Sequence, residues 1–279
     1  MSNNTNQVET IIRPRSPWHF LDLAELWEYR ELFYILSWRD LKVRYKQTVL
    51  GVSWALFQPL INMIIFTVFF GNFASIPSDG LPYPVFVLLG LTFWGFFSNA
   101  LSRAGNSFIE NEQLVKKVYF PREILTFSAV ITSFIDFLIS LFILIIVIAY
   151  YGIAVNIPFI GIMLLGILIT AISSIGFGLF LASVNIKYRD VRYIIPFFLQ
   201  LLIFVSPVIY PLTIVRSSFQ YLLALNPMTG VIDSLRSILI SGQVAHPDML
   251  AISALAAGLS FLLGIAYFRK TERYFADII

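Results

Sequence analysis

Few side chains in this 279-residue sequence are placed to do chemistry. The most pointed is Asp136, the one ionisable residue deep inside an apolar run. An acid there can couple transport to a proton or ion, line a pore, or accept hydrogen bonds from neighbouring helices, and all three roles stay open at this stage. An ion-coupled carrier ordinarily holds several such groups, not one. The only histidines, His19 and His246, fall on opposite sides of the expected membrane, so neither a zinc site nor a catalytic triad is expected. There is no cysteine, hence no thiol ligand or disulfide. No G-x-x-x-x-G-K-[ST], H-E-x-x-H or G-x-S-x-G occurs, so no catalytic residue and no nucleotide or metal site is expected in the chain itself. Energy for uphill movement must then come from another protein.

The elements that position Asp136 are apolar. Six such segments lie near residues 52–73, 84–102, 124–150, 158–184, 194–211 and 249–268. Each is close to the roughly 20 residues that span a bilayer core. Of the 19 lysines and arginines, all but Arg216 and Arg236 fall in alternate gaps between these segments. The positive-inside rule reads this as six spanning helices with both termini cytoplasmic. The composition agrees: 58% of residues are hydrophobic and 13% charged, with a mean hydropathy of +0.81. The expectation is an all-α polytopic membrane protein. The net charge of +3 is ascribed to loops facing an anionic leaflet, and no nucleic-acid partner is inferred.

Residues 1–17 are expected to form a flexible cytoplasmic leader without a cleavable signal, and residues 18–50 an amphipathic interface helix. In the latter, Leu23, Trp27, Tyr34, Trp38, Leu41 and Tyr45 share one face, and Glu28, Arg39, Lys42 and Lys46 share the other. The six-helix domain covers 51–268, and 269–279 is a cytoplasmic tail. Gln58, Pro59 and Asn62 place polar and kinking residues in the first span, and Pro196, Pro207 and Pro211 interrupt the fifth. Ser174, Gly178 and Ala182 give the fourth span a small-residue face. The outer gap 212–248 reads as two short re-entrant helices, 217–225 and 228–240, divided at Asn226-Pro227, with Asp233 and Arg236 spaced to pair. In the gap 103–123, a short mixed helix from Asn111 to Val118 is suited to a partner's groove.

Four stretches together resemble one family. They are WRDLKVRYKQTVLGVSWALFQP (38–59), LVKKVYFPREIL (114–125) followed by Asp136, YRDVRY (188–193) leading into SPVIYP (206–211), and NPMTGVIDSLR (226–236). In this order and spacing they resemble the type-2 ABC exporter permeases that move lipid-linked polysaccharide such as O-antigen, capsule or teichoic acid. Thr126 departs from the proline that relatives often carry there.

The resemblance implies a permease subunit rather than an enzyme, sited in the bacterial inner or plasma membrane. It implies a homodimer with two copies of a cytoplasmic P-loop ATPase, ATP and Mg being held by that partner and no cofactor by this chain. It places ATPase coupling on the N-terminal helix and on the segment containing Glu110, Asn111, Glu112, Gln113, Leu114, Val115, Lys116 and Lys117. It also implies a channel lined by spans 1, 2 and 5 of both copies. Aromatic rings stack on sugar faces, so Trp54, Phe57, Phe66, Phe70, Phe93, Trp94, Phe97 and Tyr210 are the lining candidates. Lys42, Arg44, Lys46, Lys187, Arg189 and Arg192 are candidates for the lipid diphosphate or for headgroup anchoring. A type-2 permease for a drug or other lipid is the nearest alternative. A membrane enzyme acting on polyprenyl-linked sugars is more remote.

Overall fold

The computed structural model describes residues 23–46, 52–188, 190–272 and 275. The expected leader, residues 18–22 and 47–50 of the expected interface helix, Arg189, and residues 273, 274 and 276–279 of the tail lie outside the described residues. The described residues form α1 (Leu23–Glu28), α2 (Arg30–Lys46), α3 (Val52–Phe66), α4 (Tyr83–Glu110), α5 (Glu112–Lys117) and α6 (Glu123–Tyr150). There follow α7 (Ile157–Lys187), α8 (Val191–Val205), α9 (Ser217–Ala224), α10 (Pro227–Ser241) and α11 (Pro247–Glu272).

Local chemistry sets these ends. The Asn156 side chain accepts from the Phe159 amide at 3.1 Å and opens α7, with Pro158 in its first turn. Asn226 does the same for α10 through the Met228 amide. Gly242, at φ +76°, closes α10 in the left-handed conformation that glycine tolerates.

Among the described residues, five stretches are long and apolar enough to cross a membrane: Ser53–Phe73, α4, α6, α7 and α11. The expected fifth span, 194–211, differs. α8 stops at Val205, because Pro207 biases Ser206 toward extended backbone and cannot continue the helix. Its 15 residues cover about 22 Å, short of the roughly 30 Å hydrocarbon core. The second span is longer than expected. α4 runs to Glu110, carrying Arg103, Asn106 and Glu110 on a helix rather than a loop. The first span changes character at Thr67–Phe73, where the helix widens into a π-helix.

α4 is the central post, buried by α6 and α7 over most of its apolar length. Phe93, Phe96, Phe134 and Phe137 interlock between α4 and α6, with ring centroids 5.1–5.8 Å apart. Small residues bring the other helices close. A Cβ on Gly178 would sit 2.5 Å from that of Ala104, and one on Gly264 would overlap the Gly176 carbonyl. A second cluster gathers Leu36, Phe108, Phe120, Ile124, Leu125, Ile265, Phe268 and Phe275 at the basic end of the bundle. There Arg269 pairs with buried Glu123 at 2.7 Å.

α2 has a definite track. Ser37 bonds Ser128 at 3.1 Å, and Arg44 and Tyr45 reach Asp136. Both positions advance by about eight residues, so α2 runs parallel to α6 for about 12 Å. Leu36 and Ser37 face inward, while Trp27, Tyr34 and Trp38 are exposed.

Candidate functional site

Asp136 sits 13 residues into α6, about 20 Å from its start. It bonds Arg44, and its Oδ1 accepts from the Tyr45 hydroxyl at 2.5 Å. In a charge-assisted pair the carboxylate keeps its acceptor sites filled in an apolar setting. Two cavities meet at this junction. One, of about 360 Å³, lies between α2, α4 and α6 and is lined by Arg39, Asp40, Arg44, Arg103, Ser107 and Asn111 among others. The other, of about 90 Å³, reaches Gln58 and Asn62 of α3, Thr92 and Asn99 of α4, and Asp136 with Ser140 of α6. The polar residues singled out in the first span therefore face a polar space shared with Asp136.

The coupling candidates divide by direction. Asn111 is buried: its Oδ1 accepts from Arg39 at 2.7 Å and its Nδ2 donates to the Ser107 carbonyl at 2.8 Å. Val115 is buried in the basic-end cluster, and Leu114 packs against it. Glu110, Glu112, Gln113, Lys116 and Lys117 are exposed, with Lys116 bonded to Glu112 at 2.6 Å. Val118 and Tyr119, just beyond the candidate set, expose 50% and 72% of their surface and add the apolar contact that a partner's groove would need.

The aromatic candidates do not form one surface. Trp54 and Phe57 are exposed on α3, and Phe66 stacks on Phe70 at 5.5 Å, both half-buried. The π-helix turns Phe69 and Phe73 outward, a change of face that a regular 3.6-residue period does not anticipate. Phe93, Trp94 and Phe97 are at most 5% exposed. They pack inside the chain's own bundle because α4 is its central post, so the structure does not bring them to the α3 face. Tyr210 is half-buried and donates to the Val205 carbonyl at 2.9 Å.

The basic candidates also separate. Lys42 and Lys46 are exposed on α2, while Arg44 is engaged by Asp136. Lys187 lies over the Tyr188 ring and Arg192 over the Tyr193 ring, both exposed at the turn into α8.

Arg236 is a residue whose role the sequence left hidden. Its spacing suggested a pair with Asp233, but Asp233 Oδ2 lies 2.9 Å from Nδ1 of His246 instead. Burial raises the Asp233 carboxyl above its ordinary pKa, and the contact with His246 opposes that rise. Arg236, 5% exposed, donates to the carbonyls of Pro207 and Val208 at 2.6 Å each, of Phe86 at 2.9 Å and of Tyr210 at 3.5 Å. Its guanidinium also stacks 3.4 Å above the Phe86 ring. Irregular backbone at membrane depth persists only where its polar groups are satisfied by protein. Arg236 supplies that for the segment after α8. Gly90 makes room, since a Cβ there would lie 2.7 Å from the guanidinium.

Residues 31–240 match the sequence profile of the family described as ABC-2 type transporter. The chain is 30% identical over 264 residues to the O-antigen export system permease protein RfbA of Myxococcus xanthus, covering 92% of this chain and 98% of that relative. It is 26% identical over 253 residues to an O-antigen export system permease protein RfbA of Klebsiella pneumoniae, covering 89% and 95%. It is 23% identical over 238 residues to the polysialic acid transport protein KpsM of Escherichia coli, covering 84% and 91%.

Proposed function

This chain belongs to the ABC-2 type transporter family, and from that membership we propose that it is the permease subunit of an ATP-driven exporter of lipid-linked polysaccharide such as O-antigen. The observation that carries the reading is likeness across nearly the whole chain to permeases named for O-antigen export and polysialic acid transport. The permease is a transport subunit. ATP and Mg are held by two copies of a separate cytoplasmic ATPase, which docks on the exposed face of 110–119 and on α2. Two permease copies enclose the path, and both termini face the cytoplasm.

Physical features support this arrangement. None of the apolar window of span Ser53–Phe73 is buried within the protomer, so this helix needs cover from a second copy or from lipid. Its outward aromatics Trp54, Phe57, Phe69 and Phe73, joined by Phe66 and Phe70, offer flat faces for weak, repeated sugar contacts. Weak contacts let a long polymer slide without trapping it.

The test is purification of the tagged chain from its host in mild detergent, followed by reconstitution with lipid-linked glycan. A stoichiometric P-loop ATPase, lost when residues 110–117 are scrambled, and ATP-dependent glycan movement are expected. A chain that purifies alone and moves glycan alone overturns the proposal.

A further inference from the structure

The 360 Å³ cavity between α2, α4 and α6 holds three arginines, and two of them are engaged. Arg39 bonds Asp40 at 2.7 Å and Asn111 at 2.7 Å, and Arg44 bonds Asp136. Arg103 makes no hydrogen bond or ion pair among the described residues, although the charges of Arg44, Asp136, Glu110 and Asp40 surround it. Glu110 is two helical turns along α4, about 10 Å away on the same face, and lines the cavity without bonding Arg103. A half-buried guanidinium is costly without a counter-ion, and five N–H donors are left without a protein acceptor. The cavity is within the 300–1,000 Å³ range of small-molecule sites. Exposed Arg39, Val43 and Glu110 frame its mouth, which α2 carries on the basic, headgroup-facing end of the bundle.

We propose that this cavity binds the phosphate group of an anionic lipid, with Arg103 as its principal cation and Arg44 as the second once the phosphate competes with Asp136. Guanidinium groups fit phosphate oxygens bidentately, which suits them better than lysine for this work. The site is distinct from the solvated Lys187 and Arg192, which stack on tyrosines. It deepens the permease reading without depending on the ATPase, because a phosphate site can be measured on the chain alone.

The experiment is native mass spectrometry of the purified full-length chain in detergent, titrated separately with a polyprenyl diphosphate, phosphatidylglycerol, phosphatidylcholine and inorganic pyrophosphate. Retention of the polyprenyl diphosphate alone assigns the site to a lipid-linked substrate. Retention of phosphatidylglycerol as well assigns it to anionic headgroups at large. Competition by pyrophosphate at similar concentration assigns it to free phosphate. In each case Arg103→Gln weakens binding by about tenfold or more and Arg103→Lys restores part of it. Asp136→Asn, measured on the folded fraction, tightens binding by freeing Arg44, a shift that a merely structural role for the cluster would not produce. If the anionic ligands bind no better than phosphatidylcholine, or bind Arg103→Gln as tightly as wild type, the proposal is overturned. The ATPase co-purification test would be unaffected by that outcome.

Discussion

Arg236 directs all three guanidinium nitrogens at backbone oxygens of Phe86, Pro207, Val208 and Tyr210. Arg236→Met keeps the apolar stem but leaves those carbonyls buried and unpaired. The expected cost is about 3 kcal/mol or more, read as a clear drop in Tm in detergent; a shift under a degree would contradict the role. Arg236→Lys should recover little, since one ammonium cannot reach four divergent carbonyls. Asp136 belongs to the same scale. Asp136→Asn should lower the amount of assembled complex more than transport per complex, measured as export normalised to co-purified ATPase; the reverse pattern would make Asp136 a transport group. Neither partnership was legible beforehand. Residue spacing paired Arg236 with Asp233 because helical neighbours are visible in a sequence, whereas carbonyls more than two dozen residues away are not. Asp136 was legible as unusual, but its partners lie 91 and 92 residues upstream.

At the scale of elements, hydropathy located the spanning helices and missed where polar residues continue them. Arg103 marks the end of the apolar run, yet α4 continues to Glu110 because those turns pack against α7 and the basic-end cluster. The opposite error occurred in the fifth segment. There an apolar run continues past Val205, but Pro207 stops the helix, so apolarity and helix length part company. The small-residue face of α7, Ser174, Gly178 and Ala182, was legible from its spacing and meets Ala104 of α4 at Gly178, whereas the tightest contact of the helix, Gly176 against Gly264 of α11, falls on its other side. Gly264→Leu is expected to abolish a monodisperse peak in fluorescence-detected size-exclusion chromatography. Gly258→Ala on the same helix, where an added Cβ meets nothing within 4 Å, should leave the peak intact. In the proposed coupling segment, Leu114→Asp is expected to reduce ATPase co-purification while membrane insertion stays normal; unchanged co-purification would remove α5 from the proposed contact.

For the whole molecule, the exposed first span is the feature that most needs a neighbour. The chain has no cysteine, so single introduced thiols report contacts without background. Phe57→Cys and Ile61→Cys on the exposed face of α3 are expected to yield a disulfide-linked dimer on mild oxidation in membranes, whereas Leu255→Cys on α11 should not. Dimer from Leu255→Cys alone would place the partner copy on the other side. Membrane class and span order were legible because burial in lipid imposes a coarse, one-dimensional pattern. The cavity at Arg103 was not, because it is made where α2 returns to lie beside α6.

That return has a consequence for how the protein is made. Ser37 leaves the ribosome 91 residues ahead of its partner Ser128. At synthesis rates of about 5–20 residues per second, α2 waits roughly 5–18 seconds for the helix it docks on. During that interval Leu36 and Arg44 have neither their apolar cover nor their carboxylate. The exposed Trp27 of α1, with Tyr34 and Trp38 of α2, can park α2 on the headgroup layer until α6 arrives. The same aromatic face thereby serves the nascent chain as a mooring, before any transport begins.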